Sequence, residues 1–466
     1  QLVSTLLLLG LLGASAHAAD SPPARKRGTA RTPSNPSGTN ISSEAPPDSK
    51  PFSPAEARRF FHVTAGLELE QVLAEPVVAQ PLFLNFDERG RMWVVQYLQY
   101  PEPAGLTPVS HDSFWRTVYD KVPPPPPHHF RGRDKITIHE STRHDGVFDK
   151  HTTFVDGLNI ATSVERGRGG VWVLNPPYLL FYPDANNDDV PDGDPVVHLA
   201  GFGLEDTHSV TNSLRWGPDG WLYGAQGSTV SGHISRPGID KEPISNTLGQ
   251  HIWRYHPETK RFEVFSEGGG NAFGVEIDAK GRIYSGHNGT NTRGFYYMQG
   301  AYLQKGFDKH GPLSNPYAFG YFPPMEHHSV ERFTHNFIIY DGGALPAQYT
   351  GKLFGIEPLQ GRVVESELMP DKSAYKTRDI THVVTSDDRW FRPVDIKAGQ
   401  SREYWITIHV PEKARPGTYE GAVSFYSGGG KTQLPLKLTV HPFVLQPSRL
   451  TYSVYYRATL SADGQP

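Results

Sequence analysis

Apolar and polar residues alternate along much of this chain, and in three places the same kind of turn interrupts the alternation. The three segments are FLNFDERGRMWVV at 83–95, SLRWGPDGWLYGA at 213–225 and GVEIDAKGRIYSG at 274–286. Alternation with a period of two favours β-strands. A glycine in each turn can take the positive φ that a tight loop needs. Each segment is therefore predicted to be a β-hairpin, with its turn at Gly90, Gly220 or Gly281.

Hairpins that recur along a long chain are typical of a β-propeller, in which each sheet buries its faces against its neighbours. Further paired strands are predicted at residues 171–183, 251–265 and 351–366. The predicted fold class is all-β. Residues 53–396 are predicted to form a six-bladed-type β-propeller, complete or lacking its closing strands. Residues 397–466 are predicted to form a small β-sandwich that is truncated at its C-terminal end. Ligands of propellers bind at the central channel, so function is expected there.

The N-terminal residues carry a different pattern. Residues 2–15 form an apolar run that ends at Ala16-His17-Ala18, which is the pattern of a secretory signal peptide over residues 1–18. Residues 19–52 are rich in Ser, Pro, Lys and Arg and are predicted to be a disordered linker. A short helix is predicted at 53–62, with Ser53 as its N-cap. The protein is thus expected to be exported, periplasmic or secreted, with no transmembrane segment.

The composition of the chain excludes several kinds of site and argues against one class of partner. The 466 residues include no Cys, which excludes disulfides, thiolate metal sites, a cysteine nucleophile and covalent c-type haem in this chain. A formal net charge of −4 gives no reason to expect a nucleic-acid partner.

Residues 184–194, DANNDDVPDGD, form a candidate metal loop. Oxygen ligands at its positions 1, 3, 5, 7 and 9 would come from Asp184, Asn186, Asp188, the carbonyl of Val190 and Asp192. Such a set of hard oxygen ligands suits Ca²⁺. Asp189 stands at position 6, where these loops usually carry Gly, and no Glu follows at position 12. The prediction is a shortened, structural Ca²⁺ loop, and the alternative is a solvated acidic turn.

Four segments resemble the exported membrane-bound dehydrogenase family of planctomycete-type bacteria, whose propellers are related to pyrroloquinoline-quinone (PQQ) glucose/sorbosone dehydrogenases. They are residues 206–227, 268–289, 309–325 and 388–397. The resemblance covers about residues 60–396. Residues 397–466 instead resemble the β-sandwich that precedes the barrel in certain glycoside-hydrolase-like proteins, and no haem is expected.

The resemblance implies roles for particular residues. In the PQQ enzymes, a histidine before the Arg-x-x-Gly-Pro-Asp-Gly hairpin takes the proton of a sugar hydroxyl while hydride moves to the quinone, and His208 has the similar position. Asp206, two residues away, is expected on the same strand face, where it can fix the imidazole. Asn271 matches an asparagine that lies against the cofactor, and Gly270 stands where the family has an arginine. Candidate polar contacts that could replace it are Gln96, Arg215 and Arg392.

Three functions follow as hypotheses. The first is PQQ-type oxidation of a sugar or related alcohol, with His208 as the general base and an electron acceptor that the sequence does not name. The second is a non-catalytic propeller that binds glycans or proteins at the cell surface, which Gly270 favours. The third is an accessory part of a truncated carbohydrate-active protein, and residues 397–466 alone support it.

Overall fold

The fold is taken from a computed structural model, which describes residues 7–10, 49–112, 116–287, 292–305, 321–327, 336–398, 410–411, 413–427 and 430–443. The chain divides into two units, Gln1–Ser401 and Arg402–Pro466. The described residues are mostly β and contain one α-helix, Pro54–Ala57. No helix among them is long and apolar enough to cross a membrane. The predicted leader and linker lie outside the described residues, except for Leu7–Gly10 and residues 49–52.

The strands follow in chain order. Strands β1 to β8 are Leu7–Gly10, Phe61–Val63, Pro81–Phe86, Met92–Gln96, Pro108–His111, Thr117–Tyr119, Asp134–Glu140 and Lys150–Leu158. Strands β9 to β16 are Ser163–Arg166, Gly170–Asn175, Tyr178–Pro183, Val196–Phe202, Asn212–Trp216, Leu222–Gln226, Ser231–Ser235 and Ser245–Leu248. Strands β17 to β24 are His251–His256, Arg261–Gly268, Glu276–Ile277, Ile283–Gly286, Gly294–Tyr297, Tyr302–Leu303, Glu326–His327 and Phe337–Ile339. Strands β25 to β30 are Leu353–Glu357, Arg362–Asp371, Ala374–Ser386, Pro393–Lys397, Gly417–Ser427 and Gly430–Val440.

These strands form the successive antiparallel sheets of a six-bladed-type β-propeller. The first sheet has the order β3-β4-β7-β8, and the second runs from β9 through β10, β11 and β12 to β15 and β16. The third begins β13-β14-β17-β18, the fourth is β19-β20-β21, and the fifth is β24-β25-β26-β27-β2. Apolar side chains fill the spaces between neighbouring sheets, for example Trp93 and Ile136 of the first against Val173 and Leu180 of the second. The chain is therefore built as predicted, from sheets that bury their faces against each other.

The three predicted hairpins are β3–β4, β13–β14 and β19–β20, and all three are confirmed. Gly90, Gly220 and Gly281 have φ of 77°, 78° and 73°. The aspartate of the turn explains the sequence pattern. In the first hairpin, Asp87 Oδ1 accepts the backbone N–H groups of Arg89 and Arg91 at 2.9 and 3.0 Å. This Asx turn stabilises the loop that the glycine allows.

The predicted helix over 53–62 is too long. Pro54–Ala57 is α-helical and Arg58–Phe60 is a 3₁₀ turn, but Phe61–Val63 is strand β2, which pairs with β27. Backbone hydrogen bonds to the fifth sheet override the local helical pattern at these residues. The N-terminal segment thus supplies the outermost strand of that sheet.

Among the described residues, the innermost strand of each blade, which faces the channel, is β3, β9, β13, β19, β24 or β28 in turn. Side chains connect the neighbours in this ring. Asn85 of β3 donates to Glu165 of β9, and the N–H of Leu214 in β13 donates to Ser163 Oγ of β9 at 3.1 Å. Arg215 of β13 pairs with Glu276 of β19, and Glu276 Oε1 accepts the N–H of Ile339 in β24 at 3.2 Å.

Asp395 of β28 closes the ring. Its Oδ1 accepts from Asn336 Nδ2, just before β24, at 2.6 Å, and its Oδ2 accepts the N–H of Leu84 in β3 at 3.0 Å. Only 2% of Asp395 is exposed. Hydrogen bonds therefore connect all six inner strands around the channel.

The sixth blade is small in the part of the chain that the structure describes. It consists of β28 and, paired antiparallel to it, the backbone of β1. A cavity of about 520 Å³ lies between β2, the segment that leads into the first sheet and the residues just before β28, and its apolar lining includes Phe61, Leu69, Leu73, Met92 and Trp390. The second unit contributes one hairpin, β29–β30, to the described residues. The β-sandwich expected over 397–466 otherwise lies outside them and stays a prediction.

Candidate functional site

The candidate catalytic pair lies in the turn between β12 and β13. His208 Nδ1 is 3.1 Å from Asp206 Oδ1, and the backbone N–H of His208 donates to the same oxygen at 3.1 Å. The sequence prediction placed the two residues on one strand face, and this is wrong. They meet because the chain turns here, with the N–H of Ser209 bonded to the carbonyl of Asp206 at 2.9 Å.

Two further residues support the pair. Thr229 Oγ1 donates to the second carboxylate oxygen of Asp206. The ring of Tyr100 meets the imidazole of His208 edge-on, with 5.1 Å between ring centroids. The side chain of His208 is 68% exposed, whereas that of Asp206 is 24% exposed. Since Asp206 engages Nδ1, the other ring nitrogen, Nε2, is the one available to a ligand.

The carboxylate of Asp206 is ionised at all ordinary pH values. Burial opposes its ionisation, but hydrogen bonds from His208 and Thr229 outweigh burial and lower the pKa of Asp206 to about 2. Burial raises the pKa of Tyr100 to about 12, and the charge of Asp206 adds to this shift. An exposed imidazole is therefore held between an ionised carboxylate and a neutral phenol.

Asn271 lies next to this pair and is buried. Its Oδ1 accepts from Ser209 Oγ at 2.6 Å and from the N–H of Ser228 at 2.8 Å. The structure thus joins Asn271 to Ser209, the residue that follows His208. The amide oxygen holds two loops together, which leaves the Nδ2 group as the part of Asn271 that could contact a ligand.

Gly270 lies against His287. A Cβ atom built on Gly270 would be 1.4 Å from His287 Nδ1, so no side chain fits at position 270 while the imidazole is there. His287 Nδ1 is buried and has no hydrogen-bond partner among the described residues. Burial lowers the pKa of His287 to about 4, so the imidazole is neutral at physiological pH. The imidazole fills the space that a side chain at 270 would need.

The other three predicted contacts lie apart from this group. Gln96 is fully buried in the first sheet, where its amide bonds to the N–H of Ala79 and to Thr137 Oγ1, each at 2.9 Å. Arg215 belongs to the ring of inner strands through Glu276. Arg392 donates to the carbonyls of Arg389 and Phe391 at 2.7 and 2.9 Å. All three side chains are engaged within the fold.

The candidate calcium loop joins β11 to β12. Its side-chain oxygens accept N–H groups of the loop itself. Asp184 Oδ1 accepts from Asp188 at 3.1 Å, Asp188 Oδ1 from Val190 at 2.9 Å, and Asp192 Oδ2 from Ala185 at 2.8 Å. Asn186 Oδ1 also accepts the N–H of Asp188, at 3.2 Å.

Arginines lie against two carboxylates of this loop, those of Asp189 and Asp184. Asp189 has φ of 68°, the conformation that Gly usually supplies at this position, and its carboxylate pairs with Arg91. Arg166 Nη2 donates to Asn187 Oδ1 at 2.8 Å and lies 3.9 Å from Asp184 Oδ2, which has no hydrogen-bond partner in the described structure. Across the described residues, no three His, Cys, Asp or Glu side chains form a group that could hold a metal ion. The structure therefore gives no support to the calcium prediction.

Sequence reasoning missed Thr229, Tyr100 and Ser209. They lie 21 residues after, 108 residues before and one residue after His208 in the chain, and no periodic pattern connects them to it. The only signal in the sequence was the Gly-Ser-Thr turn that follows β14, at residues 227–229. It marks a loop but not its contact with Asp206.

Comparison with known proteins gives a family and several distant structures. The model of a family described as a domain of unknown function, DUF7133, matches residues 53–407. No curated protein sequence gives a significant match. A Thermus thermophilus protein assigned as an oxidoreductase (glucose dehydrogenase) is 16% identical, with a TM-score of 0.38 and coverage of 67% of this chain and 86% of that one.

Two further solved structures are similar at the same distance. The PQQ-bound aldose sugar dehydrogenase of Streptomyces coelicolor is 14% identical, with a TM-score of 0.33 and coverage of 62% and 86%. Virginiamycin B lyase of Staphylococcus aureus is 9% identical, with a TM-score of 0.33 and coverage of 69% and 74%. Structural similarity at such low sequence identities and TM-scores does not indicate the activity of this chain.

Proposed function

Because this chain belongs to the DUF7133 family, a domain of unknown function, we propose its function from its own residues. The channel face that carries His208 binds a neutral sugar or related alcohol, and His208 accepts the proton of one of its hydroxyl groups.

The observation that supports this proposal is the hydrogen-bonded pair of His208 and Asp206. An ionised carboxylate on Nδ1 fixes the tautomer of the imidazole, so that Nε2 carries the free lone pair, and it stabilises the cation that forms when Nε2 takes a proton. Thr229 holds the other carboxylate oxygen, so Asp206 keeps its orientation. With 68% of its side chain exposed, His208, in the turn that leads into the inner strand β13, is accessible to a ligand.

Oxidation of the hydroxyl would also need an acceptor for the hydride, and the resemblance implies PQQ. The residues described here do not fit that cofactor. Gly270 stands where the family has an arginine, and the neutral ring of His287 occupies the space. The proposed function therefore includes no step that involves PQQ.

A second candidate is a propeller that binds glycans without turnover. The same observation at Gly270 favours it, since a site without its quinone contact can still bind hydroxyl groups. The leader predicted over residues 1–18 is consistent with either function outside the cytoplasm.

One assay separates the two candidates. Wild-type protein and His208→Ala are incubated with a panel of neutral sugars and alcohols and an artificial two-electron acceptor, with and without PQQ and Ca²⁺. Turnover that His208→Ala abolishes supports the proton-acceptor role. Saturable sugar binding without turnover by the wild type favours the glycan-binding propeller. Equal turnover by both proteins contradicts the role given to His208.

A further inference from the structure

We infer that His287 determines which ligands this site accepts. Its imidazole occupies the space of a side chain at position 270 and leaves the described residues around Gly270 without an unpaired cation, so the site selects neutral ligands over carboxylated ones. The neutral ligand itself is the sugar or alcohol of the proposed function. The exclusion of anions depends on the charges that line the site and not on proton transfer to His208.

The position of His287 follows from the strand pairing. It comes directly after β20, whose last residue, Gly286, pairs with Gly294 of β21. The ring of Phe295 meets His287 edge-on, with 5.2 Å between centroids. This contact directs the imidazole onto Gly270. A Cβ atom at position 270 would overlap His287 Nδ1.

The backbone at position 270 does not itself require glycine. Gly268 and Gly269 have φ of 101° and 98°, a region that side chains disfavour, whereas Gly270 lies outside that region. The His287 ring is thus the obstacle to an arginine at this position. Removing the ring should make room for one.

Two neighbouring cations are already engaged. Arg293, beside β21, is 1% exposed and pairs with Glu357 and Asp379. Lys305 follows β22, which pairs with the end of β18 just before Gly270. Its ammonium group lies 3.2 Å from Glu267 and donates to the carbonyl of Leu248.

The carboxylate of Asp206 is ionised and lies near Asn271, to which it is linked through Thr229 and Ser209. A ligand carboxylate would thus meet like charge and, among these residues, no unpaired cation. PQQ carries three carboxylates, so its binding is a sensitive test of whether the residues around Gly270 and His287 exclude anionic ligands.

Paired substitutions test the inference. Gly270→Arg with His287→Ala supplies the missing cation, and Gly270→Gln with His287→Ala is the matched control, which fills the same space without charge. PQQ is titrated into wild type and both variants, followed by quinone absorbance and by melting temperature. We expect no saturable binding by the wild type and binding by the arginine variant at least about tenfold tighter than by the glutamine variant.

Two results would overturn the inference: saturable binding of PQQ by the wild type, or equal PQQ affinity of the folded arginine and glutamine variants. If the paired variants do not fold, the titration of the wild type alone tests the inference. Saturable binding of PQQ by the wild type contradicts the exclusion of carboxylated ligands, and no saturable binding supports it. His208 is unchanged in all of these proteins. Failure here therefore leaves the proposed role of His208 standing, and the reverse also holds.

Discussion

At the scale of single residues, the site depends on how Asp206 is held. Its carboxylate receives hydrogen bonds from His208 on one oxygen and from Thr229 on the other. The folded pKa, about 2, lies below the ordinary value of 3.8. A group with a lowered pKa stabilises the fold above its unfolded pKa, and the stabilisation is lost as the pH falls through the folded value.

Asp206→Asn is therefore expected to lower the free energy of unfolding by about 2 kcal/mol at neutral pH, with the difference from wild type shrinking as the pH falls from about 4 to 2. Urea denaturation across this pH range measures the effect. Asp156→Asn is the control, because Asp156 is exposed and pairs only with the exposed Arg131. A difference that stays constant over the whole range would contradict the assignment.

The family resemblance was what suggested His208, Asp206 and Asn271, and it did not predict how they meet. The two-residue spacing predicted a shared strand face, whereas the structure has a turn. The contact of His287 with Gly270 joins residues 17 positions apart, around the whole of hairpin β19–β20. Such contacts depend on how loops pack, and no local pattern encodes them.

At the scale of elements, Asp395 closes the ring of inner strands. Its carboxylate accepts the N–H groups of Leu84 and Ile396 and the amide of Asn336. Asp395→Ala leaves these buried donors without an acceptor, so we expect a loss of about 3 kcal/mol or more in the free energy of unfolding. Chemical denaturation measures it.

Asp387→Ala is the control for this prediction, since Asp387 is 65% exposed and pairs with His62 at the surface. It should cost less than about 1 kcal/mol. Equal losses for the two variants would show that the ring bonds do not stabilise the propeller.

The loop at 184–194 gives a second prediction at this scale. Because Arg91 pairs with Asp189, Arg166 lies beside Asp184 and the other carboxylates accept N–H groups of the loop, we expect the melting temperature in EDTA to match that in Ca²⁺ within about 2 °C. Differential scanning calorimetry of the full chain makes the comparison. A rise of about 5 °C or more in Ca²⁺, lost in Asp184→Ala with Asp188→Ala, would instead establish the calcium loop.

The hairpins could be predicted from the sequence, whereas the contacts between elements far apart in the chain could not. Gly90, Gly220 and Gly281 mark tight turns between alternating runs, so the hairpins follow from local physics. The hydrogen bond from Leu84 to Asp395 joins residues 311 positions apart. The prediction extended the helix over Phe61 and His62, which belong to strand β2, because the partner of this strand, β27, lies far along the chain.

At the scale of the whole molecule, the two ends of the first unit close the propeller together. The N-terminal strand β2 adds to the fifth sheet, and the ring of Phe61 in β2 meets Phe391, just before β28, at 4.8 Å between centroids. Phe61 also packs against the apolar cluster that contains Ile396. One aromatic contact therefore joins the start of the propeller to its last inner strand.

Phe61→Ala should remove this contact and lower the free energy of unfolding by about 2 kcal/mol, less than for a fully buried phenylalanine because Phe61 is only partly buried. Phe52→Ala, at a residue 39% exposed, is the control and should cost less than about 1 kcal/mol. Equal, small effects would mean that β2 contributes nothing to closure.

The central claim is that the face carrying His208 binds a neutral hydroxylated ligand through this imidazole. The most direct measurement is a calorimetric titration of wild type and His208→Ala with the panel of neutral sugars and alcohols at neutral pH. We predict saturable binding of at least one compound by the wild type and an affinity at least about tenfold weaker in the folded variant. Equal affinity in the two proteins, or no binding by the wild type, would contradict the claim.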